Sequence, residues 1–188
     1  MRVLAISGSL RRDSHNTELL RAAAELMPPS AELELFDGLR LVEPYDEDYD
    51  SDPPPWGARN LREAIASADA VLFATPEYNS SIPGQLKNAV DWASRPRGDA
   101  ALLNKPVAVI GATTGMFGAV WAQAELRKVL GSAGARVVDG ELPLAAVHEA
   151  YDENGRLVLD DHEGVLRTIL ADLIAAVRER EQALPTAA

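Results

Sequence analysis

Ile6-Ser7-Gly8-Ser9-Leu10-Arg11-Arg12-Asp13-Ser14-His15-Asn16 follows the apolar run Val3-Leu4-Ala5-Ile6 and leads into a helical pattern that begins near Asn16. A strand, a turn of small hydroxyl residues carrying an arginine, and a helix start together make an anion grip. The first N–H groups of a helix have no partners inside it, and the aligned peptide dipoles add about half a positive charge at that end. Arg11 brings a fork of charge-assisted hydrogen bonds, and Ser9, Ser14 and Asn16 can meet the remaining oxygen lone pairs. The turn therefore predicts a bound phosphorylated cofactor. It contains neither G-x-G-x-x-G nor G-x-x-x-x-G-K-[ST], so the dinucleotide fingerprint and the P-loop do not apply. Hydroxyls with one arginine suit a terminal phosphate monoester, such as that of FMN, better than a buried pyrophosphate.

Outward from this turn, apolar runs alternate with helix-period segments, the pattern of a parallel sheet covered on both faces. The first strand is expected over residues 2–7, and the first helix carries Leu19, Leu20, Ala23, Leu26 and Met27 on one stripe until Pro28-Pro29 stops it. Leu33 and Leu35 alternate with Glu32 and Glu34, which gives the second strand a wet face and an edge position. Residues 43–55 are acidic and end in three prolines, so they read as a surface loop; their spacing lacks the glycine and closing glutamate of an EF-hand loop. A helix with Leu61, Ala64, Ile65 and Ala68 precedes a uniformly apolar, hence central, third strand, Ala70-Val71-Leu72-Phe73-Ala74. A helix over 84–94, a fourth strand over 107–110 and a helix over about 119–132 follow. Val137-Val138 and residues 142–147 form a last strand or a pair of short ones. Asp160 and Glu163 resemble a capping box that opens a final helix with Val165, Leu166, Ile169, Leu170, Leu173, Ile174 and Val177 inward. The expectation is an α/β protein with a doubly wound, five-stranded parallel sheet in a flavodoxin-like three-layer sandwich. One domain over residues 1–182 carries a frayed tail over 183–188.

The 188 residues suffice for one domain that buries about 70% of its unfolded surface. No apolar run reaches the roughly 18 residues of a membrane span, and the chain enters its first strand with no leader, which points to the cytoplasm. With no cysteine, disulfides, thiolate metal sites and a cysteine nucleophile are excluded. A net charge of −11 argues against nucleic acid as a partner. It also repels a dianionic phosphate at long range, so a local positive pocket must override it; Arg11-Arg12 is the best in the sequence.

In doubly wound sheets ligands sit beyond the carboxyl ends of the strands. Three polar loops are expected there: residues 8–16, 75–84 and 111–118. In the second, Thr75-Pro76-Glu77-Tyr78-Asn79-Ser80-Ser81-Ile82-Pro83-Gly84, two prolines fix the directions of the amides, which suits the edge of a planar heterocycle. Tyr78 offers contact area and an amide near Asn79 a donor; equally, this is a plain turn with Tyr78 lidding the core. The third, Ala112-Thr113-Thr114-Gly115-Met116-Phe117-Gly118, precedes a helix whose N-terminus would stabilise negative charge on a reduced flavin. The alternative is a turn with Phe117 buried.

Gly8-Ser9-Leu10-Arg11, Ser14-x-Asn16, Pro76-Glu77-Tyr78-Asn79, Ser81-Ile82-Pro83-Gly84, Leu86-Lys87-Asn88-Ala89 and Asp91-Trp92 together resemble the NADPH-dependent FMN reductase family, which includes bacterial quinone, chromate and azo-dye reductases. The resemblance runs over roughly residues 1–175. It implies FMN phosphate contacts from Ser9, Arg11, Ser14 and Asn16, a flavin ring lined by Pro76, Glu77, Tyr78 and Asn79, and a polar flavin edge near Thr113, Thr114 and Gly115. It further implies hydride transfer from NADPH or NADH through FMN to a quinone, an azo- or nitro-aromatic, or another small acceptor, in a homodimer or homotetramer. Relatives often carry Gly-Gly at Gly118-Ala119 and serines at Thr113 and Thr114, differences expected to narrow the space above the flavin.

The rival is a flavodoxin-type electron carrier with no turnover of its own, which the acidic surface also suits. His148 and His162 lack a serine-aspartate pattern for a hydrolase triad, and His15 is as readily solvated as phosphate-bound. Lys87 reads as a surface or dimer contact and Trp92 as packing or interface, so no protein acid, base or nucleophile is assigned.

Overall fold

A computed structural model describes residues 1–154, 156–159 and 161–183 of the protein. Strands β1 (Arg2–Ser7), β2 (Glu32–Phe36), β3 (Ala70–Ala74), β4 (Pro106–Ala112), β5 (Arg136–Val137) and β6 (Pro143–Leu144) alternate with helices α1 (His15–Glu25), α2 (Trp56–Ser67), α3 (Gly84–Ala93), α4 (Val120–Ser132) and α5 (His162–Ala183). The strands pair in parallel in the order β2-β1-β3-β4-β5, with β6 also on β4. That order is the flavodoxin-like version of the doubly wound sheet. Alternate strand residues face opposite layers. Leu4, Ile6, Val71, Phe73, Val107 and Val109 pack under α2, α3 and α4, whereas Val3, Ala5, Leu72, Ala108 and Ile110 pack under α1 and α5. β3 is buried throughout, as its unbroken apolar run requires, and β2 lies at the edge with Glu32 and Glu34 exposed.

The fifth strand position is split between two short strands. β5 pairs with the start of β4 (Val107↔Val137) and β6 with its end (Ala112↔Leu144). Between them the buried Gln123 side chain donates to the Gly118 and Leu142 carbonyls at 2.9 and 3.1 Å and accepts from Leu142 N–H at 3.3 Å. A side-chain amide thus does part of the work of the missing ladder, and a buried backbone group left without it would be costly.

Residues 43–55 depart from the simple surface loop expected of them. Glu43 accepts from the N–H groups of Gly57 and Ala58 at 3.0 and 3.1 Å, at the start of α2. Its carbonyl takes Asn88 and the Trp92 indole, and Tyr45 packs edge-on to the fully buried Trp92 ring at 5.0 Å. Asp50 pairs with Arg62 at 2.7 Å. Three polar anchors hold a composition that could not pack by apolar burial. Asp160 and residues 184–188 lie outside the described residues, so the capping box and most of the tail do too. Ala183 closes α5, whose buried stripe is as expected except that Val165, one position off it, stands exposed.

Candidate functional site

Ser14 is the N-cap of α1: its backbone is extended (φ −91°, ψ 119°) and its hydroxyl accepts from Thr17 N–H at 3.3 Å. This satisfies one of the four N–H groups a helix start leaves unpaired. Upstream, Ser7 Oγ accepts from Ser9 N–H at 3.4 Å and from the Thr17 hydroxyl at 3.0 Å, and Ser9 Oγ accepts from Arg11 N–H at 3.4 Å. The hydroxyls shape the turn, and the Arg11 side chain projects from it exposed.

Asn16 has a different job from the phosphate contact expected of its side chain. Its amide donates to Ala112 O at 2.9 Å and accepts from Ala112 N–H at 3.0 Å, 97% buried, which pins the start of α1 to the end of β4. What Asn16 presents outward is its backbone N–H in the first turn.

The second loop closes on itself. Tyr78 and Ser81 exchange backbone hydrogen bonds of 3.0 and 3.1 Å around Asn79 and Ser80, whose φ values are +54° and +59°. Two left-handed residues in a two-residue tip make a tight primed turn, which asparagine tolerates. Glu77 Oε2 accepts from Trp121 and Ala122 N–H, both at 3.1 Å. The N-terminus of α4, expected to face a flavin, is therefore taken up by this carboxylate.

In the third loop, Gly115 N–H donates to Thr113 Oγ1 at 3.2 Å, and the Thr113 and Gly115 carbonyls accept from Val147 and Ala146. Phe117 is not buried: it stands 56% exposed, edge-on to Trp121 at 4.9 Å, beside the still more exposed Met116. Gly118 has φ +57°, and a Cβ there would lie 2.2 Å from the Pro143 carbonyl carbon, so only glycine fits. Ala119 is also left-handed (φ +59°), but its methyl is fully buried and does not narrow the space above the site.

The three loops enclose a cavity of about 160 Å³ at the carboxyl edge of the sheet. Ser9, Arg11, Ser14 and Asn16 line it from the first loop, Pro76, Glu77 and Tyr78 from the second, and Thr113 and Thr114 from the third; Asn79 and Gly115 lie outside it. His15 also lines it, with Nδ1 2.7 Å from the Tyr151 hydroxyl. Burial, then the Arg11 charge, holds His15 below its ordinary pKa, and burial pushes the Tyr151 phenol up. Nothing in the sequence signalled this pair, whose members are 136 residues apart. The volume suits a phosphate and its adjoining chain, and the exposed Tyr78 flanks the opening. Unpaired first-turn N–H groups, convergent hydroxyls and an exposed guanidinium fit the phosphate monoester of FMN. Among the described residues no His/Asp/Glu group could hold a metal ion, and no helix is long and apolar enough to cross a membrane.

A doubly wound parallel sheet with a phosphate grip at the carboxyl edge of its first strand defines a cofactor-binding α/β protein. The chain belongs to the NADPH-dependent FMN reductase family, whose model matches residues 1–149. It is 40% identical over 183 residues to a 2-hydroxy-1,4-benzoquinone reductase of Burkholderia, covering 96% of this chain and 98% of the relative. It is 41% identical over 181 residues to an NAD(P)H-dependent FMN reductase of Pseudomonas aeruginosa, covering 95% and 96%. Among solved structures it is similar to FerB, a flavoenzyme NAD(P)H:acceptor oxidoreductase of Paracoccus denitrificans, with a TM-score of 0.81 and 34% identity over 95% of this chain and 97% of that one. The chain is thus an oxidoreductase of a family that uses FMN with NADPH or NADH.

Proposed function

We propose that the cavity between the three loops grips the phosphate of FMN and that the protein reduces quinones, or chemically similar aromatic acceptors, with NADPH or NADH. The observation that carries this is the convergence of Ser9, Arg11 and Ser14 with the open first turn of α1 on one cavity. Bound FMN supplies two-electron redox chemistry, taking a hydride from the nicotinamide and passing it on. The chain's residues do the holding. Arg11 forks onto phosphate oxygens, the His15 and Asn16 N–H groups donate from the helix start, and the Ser9 and Ser14 hydroxyls complete the cradle. Pro76 and Tyr78 give the ring a rigid wall, and Thr113 and Thr114 offer hydroxyls to its polar edge. Asn79 and Gly115 act one step back, through the loop conformations they allow.

In the net reaction a quinone gains the hydride and a solvent proton, and the nicotinamide leaves oxidised. Dependence on the cell's nicotinamide pool supports a cytoplasmic setting. Exposed Met116, Phe117 and Trp121 beside the site, and a groove of about 550 Å³ between α3 and α4, support a homodimer or homotetramer. The test is a visible spectrum of the purified protein with FMN, followed anaerobically by NADPH and then a quinone. A yellow protein that NADPH bleaches and the quinone recolours is expected. A protein that stays colourless after equilibration with FMN overturns the reading.

A further inference from the structure

A second cavity, of about 250 Å³, lies on the β2 side of the same turn and shares Ser9 and Arg11 with the first. Four arginines line it: Arg11 and Arg12 from the turn, Arg21 from α1 and Arg40 from the short helix after β2. In a chain of net charge −11 this gathering runs against the overall field. Arg21 pairs with Glu18, whereas Arg11, Arg12 and Arg40 meet no carboxylate among the described residues. Arg40 donates to the Leu10 carbonyl, which holds it against the turn. Asp37 stands at the carboxyl end of β2, and Leu35, Phe36 and Leu39 form an apolar wall. Cations suit a phosphate, an acid suits ribose hydroxyls, and an apolar wall suits a base. In parallel α/β sheets an acid after the second strand takes the free 2′-hydroxyl of an adenosine ribose, or an arginine nearby takes a 2′-phosphate.

We propose that this cavity is an adenosine-phosphate subsite, adjoining the flavin-phosphate cradle and separate from it. The inference rests on the reading that the first cavity takes the FMN phosphate. FMN leaves the second one free. Two cofactors carry the chemistry to fill it: FAD, whose second phosphate follows directly on the first, and NADPH, whose 2′-phosphate NADH lacks. In both cases the guanidinium forks of Arg12 and Arg40 recognise the phosphate; Asp37 accepts from the free ribose hydroxyls of FAD, or from the 3′-hydroxyl alone in NADPH.

The experiment compares the wild-type full chain with an Arg12→Gln/Arg40→Gln double variant and with Arg40→Lys, which keeps the charge. Fluorescence titration gives Kd for FMN and FAD. Steady-state assays at saturating FMN give KM for NADPH and NADH. Calorimetry follows adenosine 2′,5′-bisphosphate. The double variant is expected to weaken the bisphosphate by about tenfold or more and to leave FMN affinity and the NADH KM within about twofold; Arg40→Lys recovers part of the loss. A parallel loss for FAD alone identifies the flavin dinucleotide as the source, and a rise in the NADPH KM alone identifies NADPH. If the bisphosphate, FAD and NADPH all fail to distinguish the proteins, or if FMN weakens in step, the subsite is overturned. A wild-type chain that does not bind FMN refutes the flavin reading instead, and the bisphosphate titration still decides the subsite.

Discussion

Helices α1, α2, α3 and α4 all begin at the carboxyl edge of the sheet; acids stopper the starts of α2 and α4, whereas a serine caps α1 and no side-chain cap meets the start of α3. At α2 the Glu43 carboxylate receives the Gly57 and Ala58 N–H groups, and at α4 Glu77 receives those of Trp121 and Ala122. At α1 a neutral serine caps a single N–H, and Arg11 stands beside it on the cavity. Each helix start attracts an anion for the same reason. The chain supplies its own at two of them; under the proposed function the start of α1 takes the FMN phosphate. In a chain of net charge −11, Glu43 and Glu77 are thereby tied to helix starts and kept from the open turn.

The open start is only useful if it is held in place, and Asn16 holds it. Asn16→Ala leaves the Ala112 N–H and carbonyl buried without these partners. The expected loss is about 3 kcal/mol of unfolding free energy, read in urea, with FMN binding lost at temperatures where the fold survives. A loss below about 1 kcal/mol would mean that α1 is positioned by its apolar stripe alone.

Arg11→Ala attacks the ligand side of the comparison and leaves the scaffold alone. Its exposed side chain makes no ion pair among the described residues, so stability should stay within about 0.5 kcal/mol. A charge-assisted fork is worth about 2 kcal/mol, so FMN should bind about 30-fold more weakly by fluorescence titration. Unchanged affinity would place the phosphate elsewhere.

The open start was legible in the sequence, and the closed ones were not. Small hydroxyls, an arginine and a helix onset are local, so residues 8–16 declare themselves within one turn. The strands were legible for a similar reason, since burial of β3 on both faces forces an unbroken apolar run. Glu77 meets its N–H partners 44 and 45 residues away, and Asn16 meets Ala112 at a separation of 96. Such side chain to backbone bonds have no periodicity and no partner residue type to search for. Asn16 was found for the wrong reason, because the same amide that could meet a phosphate equally meets a peptide group. The split fifth strand eluded a firm reading because Gln123, on another element, completes it.

Glu43→Gln and Glu77→Gln sharpen the comparison between the two closed starts. Both remove the charge, but Glu77→Gln can keep the one oxygen that takes both N–H groups, whereas Glu43→Gln turns an NH2 on one of them. The fold should therefore lose about 1 kcal/mol at 77 and about 2 kcal/mol at 43. For Glu43, burial pushes the carboxyl pKa up but the Gly57 and Ala58 N–H groups outweigh it, leaving it lowered. The stability it contributes is therefore present above its unfolded pKa and lost as pH falls through the lower folded value, a loss the Gln variant lacks. Of the two, only Glu77 lines the cavity between the three loops. Glu77→Gln alone should make the bound-flavin potential less negative, on the order of 20 mV, the two-electron equivalent of about 1 kcal/mol. Equal potentials in the two variants would show that Glu77 acts only as a staple.

An effect seen only as pH changes lies at the opposite edge, where α2 is stoppered at its other end as well. Lys105, 5% exposed, donates from Nζ to the carbonyls of Ala66 and Ala68 at the end of the helix, the cationic counterpart of Glu43 at its start. Burial, reinforced by the Arg180 charge, lowers its pKa to about 8, against about 10.4 for a free lysine. The folded chain therefore binds fewer protons than the unfolded one between these values, and this group makes stability rise with pH across that window. The slope can reach at most about 1.4 kcal/mol per pH unit. Urea unfolding at several pH values should show the rise in the wild type and a flatter profile in Lys105→Met. Identical profiles would mean that the two carbonyls solvate the ammonium well enough to cancel its burial, and the cap at this end of α2 would then match the carboxylate at the other.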